Sequence, residues 1–106
     1  MQKKLHFIAN PCSGTGKIKT QLYPIVQTFS DSGYDVTVHF TFCRGDATVQ
    51  AAALDNSYEM VVCCGGDGTL NEVITGLTQN ENKYSWVTFL QVHLTSGRAV
   101  LKSPVI

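Results

Sequence analysis

The 106-residue chain reads as an α/β domain built on a parallel sheet, and three features of the sequence carry that reading. Strand-like apolar runs alternate with stretches of helical period. Each of the two glycine-rich clusters stands directly after such a run and before a helix. One run, residues 60–64, is apolar without alternation, the pattern of a central strand covered on both faces.

In chain order, residues 4–9 (Lys-Leu-His-Phe-Ile-Ala) lead into Asn10-Pro11, where a helix would not close, and predict the first strand. Ile18, Leu22, Ile25, Val26 and Phe29 fall at offsets of four, seven, eight and eleven, one face of a helix that Ser32-Gly33 ends. Pro24 must kink or restart it. Residues 35–42 alternate, with Val36, Val38, Phe40 and Phe42 on one side and Thr37, His39 and Thr41 on the other, as in a half-buried strand. Gly45-Asp46 supplies a break and an N-cap for a short alanine-rich helix over 47–54. After the third strand at 60–64, Leu70, Val73, Ile74 and Leu77 hold the spacing 0, 3, 4, 7 of a third helix. Thr69-Leu70-Asn71-Glu72 has the residues of a capping box at its start. A fourth strand is expected over 86–92, whereas 96–106 carries neither period nor cap and is assigned to no element. With no internal repeat or linker, residues 1–106 read as one domain.

Eight basic residues balance eight acidic ones and only 15% of the chain is charged, which leaves no field for nucleic-acid phosphates or an anionic bilayer. The apolar fraction of 43% supports a packed core. Residues 1–9 offer too short an apolar stretch for a secretory signal, and no run approaches the roughly 20 residues of a membrane span. Cys12, Cys43, Cys63 and Cys64 read as reduced core thiols of a cytoplasmic protein, the neighbours Cys63 and Cys64 pointing to opposite faces of a strand. His6 and His39 lie on strands with no second histidine or carboxylate at ligand spacing and, like His93, read as core or surface residues.

In open parallel sheets, ligands bind where strands end and helices begin, because free backbone N–H groups and positive dipole ends converge there. Two loops qualify: Asn10-Pro11-Cys12-Ser13-Gly14-Thr15-Gly16-Lys17 and Gly65-Gly66-Asp67-Gly68-Thr69. The first is no Walker A loop, since Pro11 stands where its first glycine belongs and Ile18 follows Lys17. Neither loop is a dinucleotide fingerprint, because Lys19 and Asn71 occupy the third glycine position. The second loop retains three glycines for close backbone approach and positive φ. Asp67 puts a carboxylate beside the anion, tolerable where a metal ion or hydroxyl donor shares the site, and is the candidate catalytic group. The plainer alternative is a glycine turn whose Asp67 caps the helix.

Three motifs, Asn10-Pro11-x-Ser13-Gly14, Thr41-x-x-x-Gly45-Asp46-Ala47 and Val61-Val62-x-x-Gly65-Gly66-Asp67-Gly68-Thr69-Leu70-Asn71-Glu72-Val73, resemble in order and spacing the diacylglycerol kinase catalytic domain. That grouping includes bacterial lipid kinases, sphingosine kinases and ceramide kinases. The resemblance covers residues 4 to about 78 and implies a Rossmann-like three-layer domain similar to the N-terminal domain of phosphofructokinase and NAD kinase, followed in the family by a β-rich domain. It implies that Asn10, Ser13 and Gly14 form part of an ATP pocket and that Thr41 touches the nucleotide. Gly65, Gly66, Asp67, Gly68, Thr69, Leu70 and Asn71 would wrap the phosphates, and Glu72 would orient that loop. Lys17 is a further candidate phosphate contact. Thr95 is another, although Leu94, Gly97 and Arg98 depart from the family pattern and residues 86–106 match it poorly.

In the family the β-rich domain supplies most ligands for Mg²⁺, the catalytic base and the lipid site, and it is absent from these 106 residues. The expectation is therefore the nucleotide half of an ATP-dependent lipid kinase acting on diacylglycerol or a related lipid. It would be inactive alone, prone to form homo-oligomers, and in peripheral contact with membrane only as part of a full-length enzyme. NAD kinase, which shares the Gly-Gly-Asp-Gly-Thr loop, and a non-catalytic nucleotide-binding or dimerising module are the alternatives.

Overall fold

The computed structural model describes residues 3–11, 18–80, 88–95 and 98–102. Strand β1 (Lys3–Ala9), helix α1 (Ile18–Asp31), β2 (Tyr34–Phe40), α2 (Asp46–Ala53), β3 (Tyr58–Cys64), α3 (Asp67–Gln79), β4 (Thr88–Thr95) and β5 (Arg98–Lys102) follow in that order. They build a sheet of order β2-β1-β3-β4-β5 in which the first four strands are parallel and β5 runs antiparallel to β4.

The strand order decides where each helix lies. From β1 the chain crosses to β2 on one side, and the next two crossovers travel the opposite way. A right-handed connection that reverses direction must lay its helix on the opposite face. Accordingly, Ile18, Ile25 and Phe29 of α1 pack against Leu5, Phe7, Met60 and Val62, while Ala47 and Ala51 of α2 and Val73 and Leu77 of α3 pack against Ile8, Val61 and Cys63. β1 and β3 are central and covered on both faces, which is why they read as continuous apolar runs. Cys63 and Cys64 point into different clusters, as expected for strand neighbours. Burial pushes the Cys63 thiol up to about 12, with Cys64 and Glu72 adding to the effect, so it is inert.

α2 and α3 are in intimate contact because Gly76 has no side chain: a Cβ there would lie 2.4 Å from the Thr48 carbonyl oxygen and 2.6 Å from the Ala51 Cβ. Asn80, just beyond α3, closes the other end. Its Nδ2 donates to the carbonyls of Ala51 (2.9 Å), Ala52 (3.0 Å) and Leu54 (2.9 Å), satisfying acceptors that the C-terminus of α2 leaves open.

Several expectations are corrected. β2 ends at Phe40, and the alternation holds only through Val38: Phe40 is 44% and Phe42 81% exposed, because β2 is an edge strand and Phe42 lies in the loop beyond it. α1 passes through the exposed Pro24 as one helix. Asp46 is the first residue of α2 and makes no side-chain cap; Gly45, at φ +90°, precedes it. α3 likewise starts at Asp67 with Gly66 as its cap residue, so Asp67 does not cap the helix and Thr69 and Glu72 form no capping box. None of Gly65, Gly66 and Gly68 has a positive φ. Cys43 is exposed rather than a core thiol. β4 runs to Thr95 instead of stopping at Val92, and the unassigned tail contains β5, so the sheet is mixed. Cys12, Trp86 and the start of the expected fourth strand lie outside the described residues.

Candidate functional site

β1 and β3 are neighbours whose outgoing connections leave in opposite directions, to β2 and to β4. Between them, at their C-terminal ends, is the crevice where open α/β sheets bind ligands. Backbone bonds hold its floor: Asn10 N–H donates to the Cys64 carbonyl (3.0 Å) and Thr41 N–H to the Ala9 carbonyl (2.8 Å). Above this floor is a cleft of about 280 Å³. Asn10 and Pro11 line it from the end of β1, Thr41 to Arg44 from the loop after β2, Ala47 from α2, and Thr69 and Glu72 from α3.

Of the residues the sequence singled out, Asn10, Thr41, Thr69 and Glu72 therefore meet in one place. Asn10 Nδ2 donates to the Thr69 hydroxyl (3.5 Å), and the Thr41 hydroxyl donates to the Ala9 carbonyl (3.5 Å). Gly65 is buried and tight against Thr69, whose Cβ and Oγ1 would lie 2.7 Å from an added Cβ. Gly66, Asp67 and Gly68 are exposed, and nothing stands within 4 Å of a Cβ built at Gly66 or Gly68. No side chain caps α3, so the N–H groups of its first turn, with the positive end of the helix dipole, face this open space. An anion is the chemical match. Leu70 packs against the Ile8/Val73 cluster and Asn71 is exposed, its carbonyl accepting from the Thr75 hydroxyl (2.8 Å); Leu70 could serve a ligand only through its backbone. Ser13, Gly14 and Lys17 lie outside the described residues, and Thr95 ends β4 in register with Arg98.

Glu72 holds a different loop from the one expected. Its Oε1 accepts from Gly45 N–H (3.0 Å) and its carbonyl from the Thr48 hydroxyl (2.8 Å), which ties α3 to the start of α2. The loop 41–45 is clamped a second time by Asp46, whose Oδ2 accepts from Phe42 N–H (3.2 Å) and lies 3.0 Å from His39 Nε2. The spacing of residues along β2 gave no sign of this His39–Asp46 pair, which the turn into α2 brings together. His6, buried on β1, stacks on the His39 ring at 6.5 Å and meets Tyr58 edge-on at 5.3 Å; among the described residues neither of its ring nitrogens has a hydrogen-bond partner. Burial first, and the neighbouring His39 second, lower its pKa to about 4, so it is neutral at pH 7. Sequence reasoning missed Phe42, Cys43 and Arg44 as lining residues; the only signal was an apolar residue, Phe42, inside a loop motif.

Among the described residues no group of three His, Cys, Asp or Glu side chains stands close enough to hold a metal ion. Asp67 offers a single exposed carboxylate beside the α3 N-terminus, so the described residues do not build a Mg²⁺ site by themselves.

Comparison with known proteins agrees with the motifs. The family model described as the diacylglycerol kinase catalytic domain matches residues 4–91. A diacylglycerol kinase of Bacillus subtilis (strain 168) is 41% identical over 83 residues, which make up 76% of this chain and 27% of that protein. One from Staphylococcus saprophyticus is 37% identical over 86 residues, 80% of this chain and 28% of the relative. The crystal structure of a diacylglycerol kinase from Bacillus anthracis str. Sterne superposes with a TM-score of 0.73 at 28% identity, covering 86% of this chain and 31% of the other. The chain thus spans little more than a quarter of the length of the curated relatives it matches.

Proposed function

Since the chain belongs to the diacylglycerol kinase catalytic domain family, we propose that it is the nucleotide-binding part of a lipid kinase that moves the γ-phosphate of ATP to a lipid hydroxyl, of diacylglycerol or a related lipid. The observation that carries this reading is the uncapped N-terminus of α3, open at Gly66 and Gly68, beside a cleft at the β1/β3 switch point. Backbone N–H groups of the α3 first turn hold the phosphates. Asn10 and Thr41 supply polar contacts to the rest of the nucleotide, and Ser13, Gly14 and Lys17 complete the phosphate side. Glu72 keeps the loop 41–45 in place from below.

Phosphoryl transfer needs charge neutralisation and a group that orients the attacking hydroxyl. The described residues present neither as a built cluster. These 106 residues alone accordingly bind nucleotide without transferring phosphate, and transfer requires the further length that the relatives possess. Cytoplasmic placement, with peripheral membrane contact only as part of a full-length enzyme, belongs to the same proposal; among the described residues no helix is long and apolar enough to cross a membrane. Self-association belongs to the same proposal.

The test is calorimetric titration of ATP into the chain and into Gly68→Val. A Cβ added at this position has nothing within 4 Å beyond its own helical turn, so melting should change little while the valine side chain fills the space intended for phosphate. ATP binding to the wild type and its loss in the variant are expected. Equal affinities would remove the α3 N-terminus from the site.

A further inference from the structure

We propose that Phe42 is the platform on which the base of the nucleotide stacks, with Asp46 and His39 as its positioning residues; this rests on the nucleotide reading above. Phe42 is 81% exposed, yet it sits at the wall of the cleft and on a clamped backbone. An aromatic ring held in water beside a polar cleft is an unsatisfied surface awaiting an apolar, flat partner.

Strand order says which part of the ligand that partner is. Phosphates at the start of α3 lie beyond the end of β3, and β2 is two strands away, across β1. At about 4.8 Å per strand, the loop after β2 is roughly 10 Å from the β3 end. A nucleotide laid over the strand ends, phosphates at Gly66 to Gly68 and middle over Asn10, brings its base to Phe42.

The support of this loop agrees with such a role. Phe42 N–H, the His39 ring and the Gly45 N–H are all engaged by carboxylates, those of Asp46 and Glu72. Asp46 is buried at the first position of α2, where the helix dipole favours a negative group. A ring whose backbone is already fixed loses little conformational entropy on binding. Stacking accepts any base, because every base has a π-face, so the site should need a base without being strict about which.

The experiment compares ATP, GTP and tripolyphosphate by calorimetry on the wild type, Phe42→Ala, Phe42→Tyr and His39→Ala, and follows emission from Phe42→Trp with the Trp86 signal of the wild type subtracted. Phe42→Ala should weaken ATP and GTP about tenfold and leave tripolyphosphate unaltered, while Phe42→Tyr restores wild-type affinity. The exposure of Phe42 means that melting of these variants should match the wild type. His39→Ala should weaken ATP by less, and add nothing when combined with Phe42→Ala, as a residue acting through the ring must. Emission of Phe42→Trp should be quenched by ATP and GTP but not by tripolyphosphate. Intact ATP binding in Phe42→Ala would overturn the platform and leave the nucleotide site standing. Absence of ATP binding in the wild type would overturn both. A response of Phe42→Trp to phosphatidylglycerol vesicles and not to nucleotides would assign the ring to a lipid surface and overturn the proposal.

Discussion

On the α1 side of the sheet the buried cluster is apolar throughout, from Leu5 and Phe7 through Ile25 and Phe29 to Val92. The side that carries α2 and α3 buries His6, Asp46, Thr69 and Asn80 as well as Ile8, Val61 and Val73. The long-range bonds follow the same division: Glu72 to Gly45, Thr48 to Glu72, His39 to Asp46 and Asn80 to the end of α2 all lie on the second side. Apolar packing is non-directional and tolerates small shifts, whereas hydrogen bonds specify position. The sheet therefore has one face that supplies cohesion and one that places the loop 41–45 and the start of α3 around the cleft.

Three perturbations test that division, from the largest effect on stability to the smallest. Phe7→Ala removes a fully buried ring from the α1 side and should cost about 3–5 kcal/mol in urea unfolding. Affinity for ATP, measured on the folded fraction, should be unchanged; a parallel loss of affinity would break the separation of the two faces.

His6 tests the polar face by pH. Above pH 6.5 the ring is neutral both folded and unfolded and contributes no slope. Between 6.5 and about 4 the unfolded chain takes up a proton that the folded one refuses, so stability falls as the pH falls. At about 1.4 kcal/mol per pH unit the loss reaches about 3 kcal/mol and levels off below pH 4. Unfolding of the wild type and His6→Leu at pH 7, 5.5 and 4 should show the gap shifting in favour of the variant with acid. Parallel curves would mean that His6 finds a proton acceptor in the folded state.

Glu72→Ala is the mildest for the fold and the most telling for the site. Deleting the acceptor of Gly45 N–H at this half-buried position should cost about 1 kcal/mol of stability. ATP affinity should fall about fivefold, because the loop that carries Thr41 loses one of its two clamps. Stability loss with unaltered affinity would reduce Glu72 to a strut between α2 and α3.

Much of this was legible beforehand, for identifiable reasons. The central strands announce themselves because two-sided burial leaves no room for polar residues at Val61 to Cys64. The glycine loop after β3 was recognisable because its spacing and its place between strand and helix are local properties. The roles of Thr69 and Glu72 were not: the same Thr-x-x-Glu spacing suits a capping box, and only the start of α3 at Asp67, two residues before Thr69, frees Glu72 to reach Gly45. Phe40 and Phe42 looked like core because alternation shows which residues share a side, not whether a helix covers that end of an edge strand. β5 gave no sign of itself because an antiparallel edge strand of five residues is recognised by its partner more than by its pattern.

The sequence by itself determined the strands and helices from β1 to β4 though not β5, which strands are buried, where the glycines fall and, through three spaced motifs, the family. Tertiary structure alone decided which of those residues meet. Asn10 reaches Thr69 across 59 positions and Gly45 reaches Glu72 across 27, distances along the chain that only the order β2-β1-β3 brings together. Periodicity reports the environment of a residue relative to its own element, whereas the partners of a side chain depend on strand order and on the handedness of the crossovers between strands.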